Sequence, residues 1–390
     1  MVSWVAFPTA KGAASRRASR FVVIALGLMA LGGASLCAHA EIVFVDAAGH
    51  QVRLDAPARR IVTNESLILL SLALIDPDPV ARLAGWARPQ RIDRGVYDAF
   101  RRKFPAMDDI PEIGAVVPEA ASAEAILSVD PDLFVVRIWQ PGWAPVAEQL
   151  AAAGVPVLFL DGPGIAGKGA GEATALSIEL LGKAIGREDQ AQAFSAFVRE
   201  RFDNVAKRLE GLTERPDVLI DVHAGTLCCY TPGSGNRIMQ YLQHAGGRSI
   251  GMDVPGYDGR LSAEHVLGAD PDVYIGTGGP RFAEAGGLLV GAGVEPTKAR
   301  AALKSVVGRN FLDGLSAVGA GRAHAISHQL SISALDVLAM ECFAKWIHPA
   351  LFADLDPAAT LDEINRRFLA VPLEGTFWVD LRAGSSADGQ

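Results

Sequence analysis

The sequence predicts an α/β fold of two lobes, each a mostly parallel sheet flanked by helices, joined by a single long interdomain helix. Three observations carry that prediction. Strand-like apolar runs alternate with helical periodicity on either side of the chain's middle, the pattern of parallel sheets covered by helices. The segment from Ser122 to Leu133, Ser-Ala-Glu-Ala-Ile-Leu-Ser-Val-Asp-Pro-Asp-Leu, returns from Ser262 to Val273 as Ser-Ala-Glu-His-Val-Leu-Gly-Ala-Asp-Pro-Asp-Val, with seven of twelve positions identical. Between the copies, Ala191, Phe194, Val198, Phe202, Val205, Leu209 and Leu212 recur at steps of three and four. That stripe predicts a helix over 187–210, a rod of about 36 Å.

Half of the 390 residues are hydrophobic, enough for two well-buried cores. The first forty residues read as an export signal. Lys11, Arg16, Arg17 and Arg20 precede an apolar run from Phe21 to Leu36, and Ala38-His39-Ala40 is a small-x-small cleavage site that leaves Glu41 first. Ser15-Arg16-Arg17 hints at twin-arginine export, although Phe21 is displaced from where that signal wants it, so both export routes stay open. Cys37 follows a bulky Leu36, which argues against a lipid anchor. No later segment reaches about 18 uncharged apolar residues. Losing four basic and no acidic residues takes the net charge from −8 to −12, which excludes a general nucleic-acid binder. Cys228, Cys229 and Cys342 remain. An oxidising compartment permits one disulfide and one spare thiol, buried free cysteines fit equally well, and the spacing is not that of a metal site.

In chain order, Ile42 to Val45 and Gln51 to Leu54 read as a hairpin, and Arg60 to Thr63 as the next strand. An apolar helix from Glu65 to Leu74, a strand from Val80 to Ala84 and a loop carrying Trp86, Arg88 and Arg91 follow. In each repeat copy the Ser is an N-cap, the Glu lies in the first turn, and the Pro pushes the preceding Asp out of the helical region. A short helix therefore ends there and a strand begins, at Leu133 and at Val273. A helix from Pro145 to Ala153 and a strand from Val155 to Leu160 complete the first lobe. Beyond a glycine-rich linker, a helix over 172–185 precedes the rod. The second lobe opens with Asp217 to His223, continues with a loop from Cys228 to Asn236 and a helix from Arg237 to His244, and ends with a strand from Arg322 to Ile326 and helices over 331–346 and 361–368. The resulting division is a signal peptide (1–40), an N-terminal lobe (41–171), connecting helices (172–211), a C-terminal lobe (212–382) and a disordered tail (383–390).

With these features in place the chain resembles the periplasmic substrate-binding proteins of ABC importers, in the helical-backbone class serving ferric siderophores, haem and cobalamin. Pro57-Ala-Arg-Arg-Ile-Val62, both repeat copies, Arg322-Ala-His-Ala-Ile326 and His348-Pro-Ala-Leu-Phe352 carry the likeness across 41–382. The resemblance implies a monomeric periplasmic receptor that captures a ferric siderophore-type chelate between two lobes and delivers it to the ABC permease dimer of the inner membrane. It implies no catalysis and no cofactor besides the Fe(III) chelate carried as ligand. Haem, cobalamin or a free transition-metal ion are the alternative ligands. Glu124 and Glu264 match the family's permease-docking glutamates, one per lobe. Taken alone, each is a first-turn carboxylate that the helix dipole favours.

Ligands of such proteins collect at the C-terminal ends of strands. The residues just past the strands are Asn64, Trp86, Arg88, Arg137, Trp139 and Trp143 in the first lobe, and Tyr230, Arg237, Tyr257, Arg260, Arg281 and His328 in the second. Guanidinium groups pair with carboxylate or catecholate oxygens while aromatic rings cover the apolar rim of a flat chelate. Each also has an ordinary reading, arginine as a solvated charge and tryptophan as core packing. Two rival functions are weaker. Asp161-Gly-Pro-Gly-Ile-Ala-Gly-Lys168 suggests an exported nucleotide-dependent enzyme, but Gly169 stands where a P-loop needs Ser or Thr for magnesium. His324 and His328, four apart, suggest a bare metal ion, yet the segment reads as strand and loop rather than one helix face.

Overall fold

The computed structural model describes residues 41–382 except 114–116, 138–141, 166, 226–227 and 310. The export signal and the tail from 383 lie outside the described residues. A hairpin of β1 (Ile42–Val45) and β2 (Gln51–Leu54) comes first. The next stretch contains β3 (Ile61–Thr63), α1 (Ile68–Ala73), β4 (Leu83–Trp86), α2 (Arg94–Lys103), α3 (Ala123–Leu127), β5 (Leu133–Val136), α4 (Ala144–Ala152) and β6 (Val157–Phe159). Two long helices follow, α5 (Ala170–Ile185) and α6 (Glu188–Arg208). Then come β7 (Asp217–Asp221), β8 (Tyr230–Pro232), α7 (Arg237–His244), β9 (Arg248–Ser249), β10 (Asp258–Arg260), α8 (Ala263–Ala269), β11 (Val273–Gly278), α9 (Pro280–Ala283) and β12 (Gly291–Ala292). The chain closes with α10 (Pro296–Val307), α11 (Ser316–Ala320), β13 (Ala323–Ser327), α12 (His328–Ser331), α13 (Asp336–Ile347), α14 (Pro357–Arg367), β14 (Gly375–Thr376) and β15 (Trp378–Asp380).

The first sheet, in order β4-β3-β5-β6, is parallel throughout. The second, in order β15-β13-β11-β7-β9, is parallel except for β15 at one edge. The α/β reading of the sequence therefore stands. The apolar helix expected over 331–346 starts later, at Asp336, as α13. The turn at Ser331–Leu335 separates α12 from α13, because Ser333 turns its hydroxyl onto the Leu335 N–H at 3.3 Å and competes with helical bonding.

Both repeat copies fold alike. Ser122 and Ser262 each cap a short helix through a bond from the N–H three residues on, 3.2 Å in both. Asp130 and Asp270, ahead of the prolines, turn into the left-handed region at φ +51° and +39°. The second aspartate of each copy then clasps the neighbouring strand. Asp132 accepts the N–H groups of Arg59 and Arg60 at 2.7 and 2.9 Å, leading into β3. Asp272 accepts that of Asp217 at 2.8 Å, at the start of β7. The duplication thus carries register as well as shape.

The helix read over 187–210 runs from Glu188 to Arg208. Its start is tied to the first sheet's side by Arg187 on Asp76 at 3.1 Å, and its end by Arg208, which forks onto Asp354 at 2.6 and 2.9 Å. One continuous apolar cluster takes in Ile61 and Leu133 of the first sheet, Phe194 and Val198 of α6, and Ile220 and Ile275 of the second. A second link joins the two sides, where the Asp93 N–H donates to Gln329 Oε1 at 2.7 Å. Nearby, Gly95 approaches the Ala292 carbonyl so closely that a Cβ would lie 2.1 Å from its oxygen, so only glycine fits there. Cys228 and Cys229 are bonded to each other and Cys342 is a buried thiol, which decides the pairing that composition leaves open.

Where α6 meets α13, Glu341 is 2% exposed and its Oε2 has no hydrogen-bond partner among the described residues. Burial raises its carboxyl to about 7, against a hydrogen bond from Thr360 and the charge of Arg201. A folded carboxyl that holds its proton above the unfolded value of 4.5 gives its best contribution to stability below that pH and loses it as pH rises toward 7. Glu341→Gln is expected to exceed the parent in stability at pH 8 by on the order of 2–3 kcal/mol and to match it near pH 4.5. Calorimetric melts at the two pH values check this, and an equal difference at both contradicts it.

Candidate ligand cleft

The C-terminal ends of five strands open onto one cleft of about 630 Å³. Arg137 lies just past β5, Asp161 past β6, His223 past β7, Arg281 past β11 and His328 past β13. Thr174 and Ser177 of α5 and Arg237 at the start of α7 line it as well. Arg237 is placed by its neighbour, since Asn236 caps α7 through its Oδ1 on the Ile238 N–H at 2.9 Å. Arg137 is held at both ends. Its N–H donates to Asn64 Oδ1 at 2.9 Å and its guanidinium to the Ile332 carbonyl.

Four guanidinium groups, from Arg91, Arg137, Arg237 and Arg281, share this space. Burial lowers the Arg137 pKa. Glu65 opposes that effect, while Arg237 and Arg91 add to it. Burial lowers that of Arg281 too, with repulsion from Arg91 and Arg88. At Arg237 burial acts the same way, but Tyr241, Asp161 and Asp336 outweigh it and the pKa is raised. Of the four, Arg91 forms a salt bridge among the described residues, with Glu65 at 3.1 Å. Asp93 faces Arg281, but burial lifts its carboxyl to about 7, with Arg281 and Ser327 opposing. Four guanidinium groups therefore share the lining with Asp93, Asp161 and Asp258.

A family model described as "Periplasmic binding protein" matches residues 62–305. The chain is a periplasmic binding protein. The vitamin B12-binding protein of Photorhabdus laumondii is 26% identical over 163 residues, 41% of this chain and 55% of the relative, so the match spans about half the relative's length. The TroA-like periplasmic binding protein FepB of Veillonella parvula superposes with a TM-score of 0.77 at 24% identity, over 87% of this chain and all of that one. A structure of an ABC-type Fe3+-hydroxamate transport system from Saccharomonospora viridis superposes with a TM-score of 0.53 at 22% identity, over 80% of this chain and 100% of the other. Among the described residues no helix is long and apolar enough to cross a membrane.

Of the binding protein's sequence-predicted ligand residues, Arg137, Arg237, Tyr257, Arg281 and His328 line the cleft. Asn64 stands behind Arg137 and positions it. Trp139 lies outside the described residues. Trp86 and Trp143 are in the core, 1% and 2% exposed, Trp143 against Phe134 with ring centres 5.8 Å apart. Each stands at an element's end, where position alone does not say which way a ring turns, and both turn inward. Tyr230 lies beside the cleft and gives its hydroxyl to Asp258, a lining residue, at 2.8 Å. Arg260 is exposed on β10 opposite Tyr230, and Arg88, also exposed, is not part of the cleft lining and holds a left-handed backbone at φ +51°. Reading from strand ends misses Arg91, His223 and Phe282. His223 was within reach of the same rule, being two residues past Asp221.

The rival readings lose their footing in the same geometry. His324 pairs with Asp380 at 2.6 Å and stacks on Trp346, while His328 meets Thr277, so the two histidines do not converge. Two glycines of the phosphate-loop look-alike are used for close packing, since a Cβ on Gly162 or Gly164 would lie 2.9 or 2.7 Å from the Ala47 carbonyl oxygen. The core placement of Trp143 has a measurable consequence. Trp143→Ala is expected to lower stability by about 3–5 kcal/mol, read by denaturant unfolding, and a loss under about 1 kcal/mol contradicts that placement.

Proposed function

We propose that this periplasmic binding protein captures an anionic ferric chelate of the siderophore type in its cleft and delivers it, as a monomer, to an ABC permease. The convergence of four guanidinium groups, set among three carboxyl groups of which Asp93 is lifted to about 7, carries the reading. Charge-assisted hydrogen bonds contribute about 1.5–3 kcal/mol each and micromolar affinity needs about 8 kcal/mol, so two or three arginines supply most of it. The cleft volume falls in the range of sites for ligands of this size. The likeness to the Fe3+-hydroxamate structure supports iron. The vitamin B12-binding relative favours cobalamin as a second reading. No chemistry on the ligand is part of the proposal, and the reading of residues 1–40 as an export signal supports a periplasmic receptor.

Calorimetric titration of the mature protein with a ferric catecholate, a ferric hydroxamate, haem and cobalamin separates these readings. A ferric chelate is expected to bind at micromolar concentration or tighter, and Arg137→Gln to weaken it by at least about tenfold. Response to cobalamin alone, or to none of the four, overturns the iron reading.

Glu124 and Glu264 are both exposed in the first turns of α3 and α8, as docking on a permease requires. Replacing both by alanine is expected to leave ligand affinity unchanged and to abolish uptake in cells. Undiminished uptake by that double variant removes the docking role.

A further inference from the structure

One carboxyl group of the cleft lining is packed rather than solvated. Asp93 stands at the start of α2, on the side of the first sheet, and its N–H is held by Gln329 Oε1 of α12, on the side of the second. Its side chain enters the contact between the two sides, where glycines make room for it. A Cβ on Gly279, just past β11, would lie 3.1 Å from Asp93 Oδ1, and one on Gly291 of β12 would lie 3.2 Å from Oδ2. The residue is 9% exposed and still belongs to the lining. Its Oδ2 is buried without a hydrogen-bond partner among the described residues, and so is the Oγ of Ser327, which acts on it from the end of β13.

A buried carboxylate oxygen without a donor is costly, whereas the neutral acid brings its own O–H. Burial accordingly lifts this carboxyl to about 7, against the charge of Arg281 and the hydroxyl of Ser327. Near neutral pH the group is divided between its two forms, and a change of charge nearby decides between them. Arg281 feels Asp93 in turn, together with Arg91, Arg88 and Glu65. Arg94, the next residue of α2, turns outward to Asp98 at 2.9 Å. His223 and His328 also face this space, with ring centres 4.3 Å apart. Both are neutral near pH 7, since burial above all holds His223 at about 4 and His328 well below its ordinary value. Burial raises Asp221 to about 7 as well, but Asp221 is outside the lining, bonded by the Tyr274 hydroxyl at 2.9 Å and the Tyr230 N–H at 3.3 Å.

We propose that Asp93 sets the charge preference of the cleft: an anionic ligand binds together with one proton, which this carboxyl takes up. The proton moves from solvent to the carboxylate, and no bond of the ligand is made or broken. Once neutral, Asp93 no longer draws on Arg281, whose charge then falls to the ligand. An anion in the cleft favours the protonated form, so affinity is full below pH 7 and declines as pH rises above it. A neutral ligand calls for no proton. The inference rests on the reading of the cleft as a receptor for anionic chelates and names the residue that couples such a ligand to pH.

Two probes test it by calorimetric titration of the mature protein at pH 6.5 and pH 8.5: a hexadentate ferric tris-catecholate, which is anionic, and a ferric tris-hydroxamate of zero net charge. The catecholate is expected to bind at least about tenfold more weakly at the higher pH. At pH 7.5 its binding heat is expected to differ between phosphate and Tris buffers by the amount that uptake of about half a proton or more requires. The neutral hydroxamate is expected to show neither dependence. Asp93→Asn, which keeps the shape of the protonated acid, is expected to lose both dependences. At pH 8.5 it is expected to bind the catecholate at least about tenfold more tightly than the parent, a gain that misfolding does not imitate. Catecholate affinity that is equal at the two pH values, or a dependence that survives in Asp93→Asn, overturns the inference and leaves the receptor reading intact. Binding of the neutral chelate alone does the same. Failure of both chelates overturns both.

Discussion

The cleft rests on one buried carboxylate. Asp336, on α13, is fully buried, and its Oδ2 accepts hydroxyl hydrogens from Thr174 of α5 and, at 2.8 Å, from Tyr241 of α7. Three helices therefore meet at a single oxygen. Burial raises the Asp336 pKa, and Arg237, the two hydroxyls and Arg137 oppose that rise. A buried charge of this kind is tolerated only when its partners make up for lost water. Here the partners are the floor of the binding site, so the packing of the long helices and the placement of the arginines are one problem with one solution.

The rest of the architecture aims strand ends at that floor. Parallel sheets put the C-terminal ends of their strands on one side, and in both sheets those ends face the same space. The clasp made by Asp132 and Asp272 sets the register of the strand next to each repeat, so β3 against β5 and β7 against β11 begin at matched heights. The clefts of many binding proteins lie between separable bodies. This one lies over an apolar cluster continuous from one sheet to the other.

Much of this is legible in the sequence, for identifiable reasons. β5 is an uninterrupted apolar run and β7 holds one from Val218 to Ile220 because both faces are covered, and α6 shows its stripe because one face packs on α5 and α13 while the other meets water. Arg137 and Arg281 are found because they stand immediately beyond such runs. Arg91 is not, since it ends a three-residue 3-10 turn, Pro89–Arg91, with no periodicity to mark it. The tryptophans mislead because ring direction at an element's end depends on neighbours distant in sequence, such as Phe134 for Trp143. The meeting of His223 with His328 depends on sheet order, which brings together residues 105 positions apart that no local pattern connects.

The anchoring of α6 bears on traffic through the cleft. With Arg187 held by Asp76 and Arg208 forked onto Asp354, α6 is braced at both ends, while Gly95 pressed on the Ala292 carbonyl closes the contact near Asp93 of the cleft lining. Tyr257 is 62% exposed yet part of the cleft lining, so its ring stands where the cleft meets solvent.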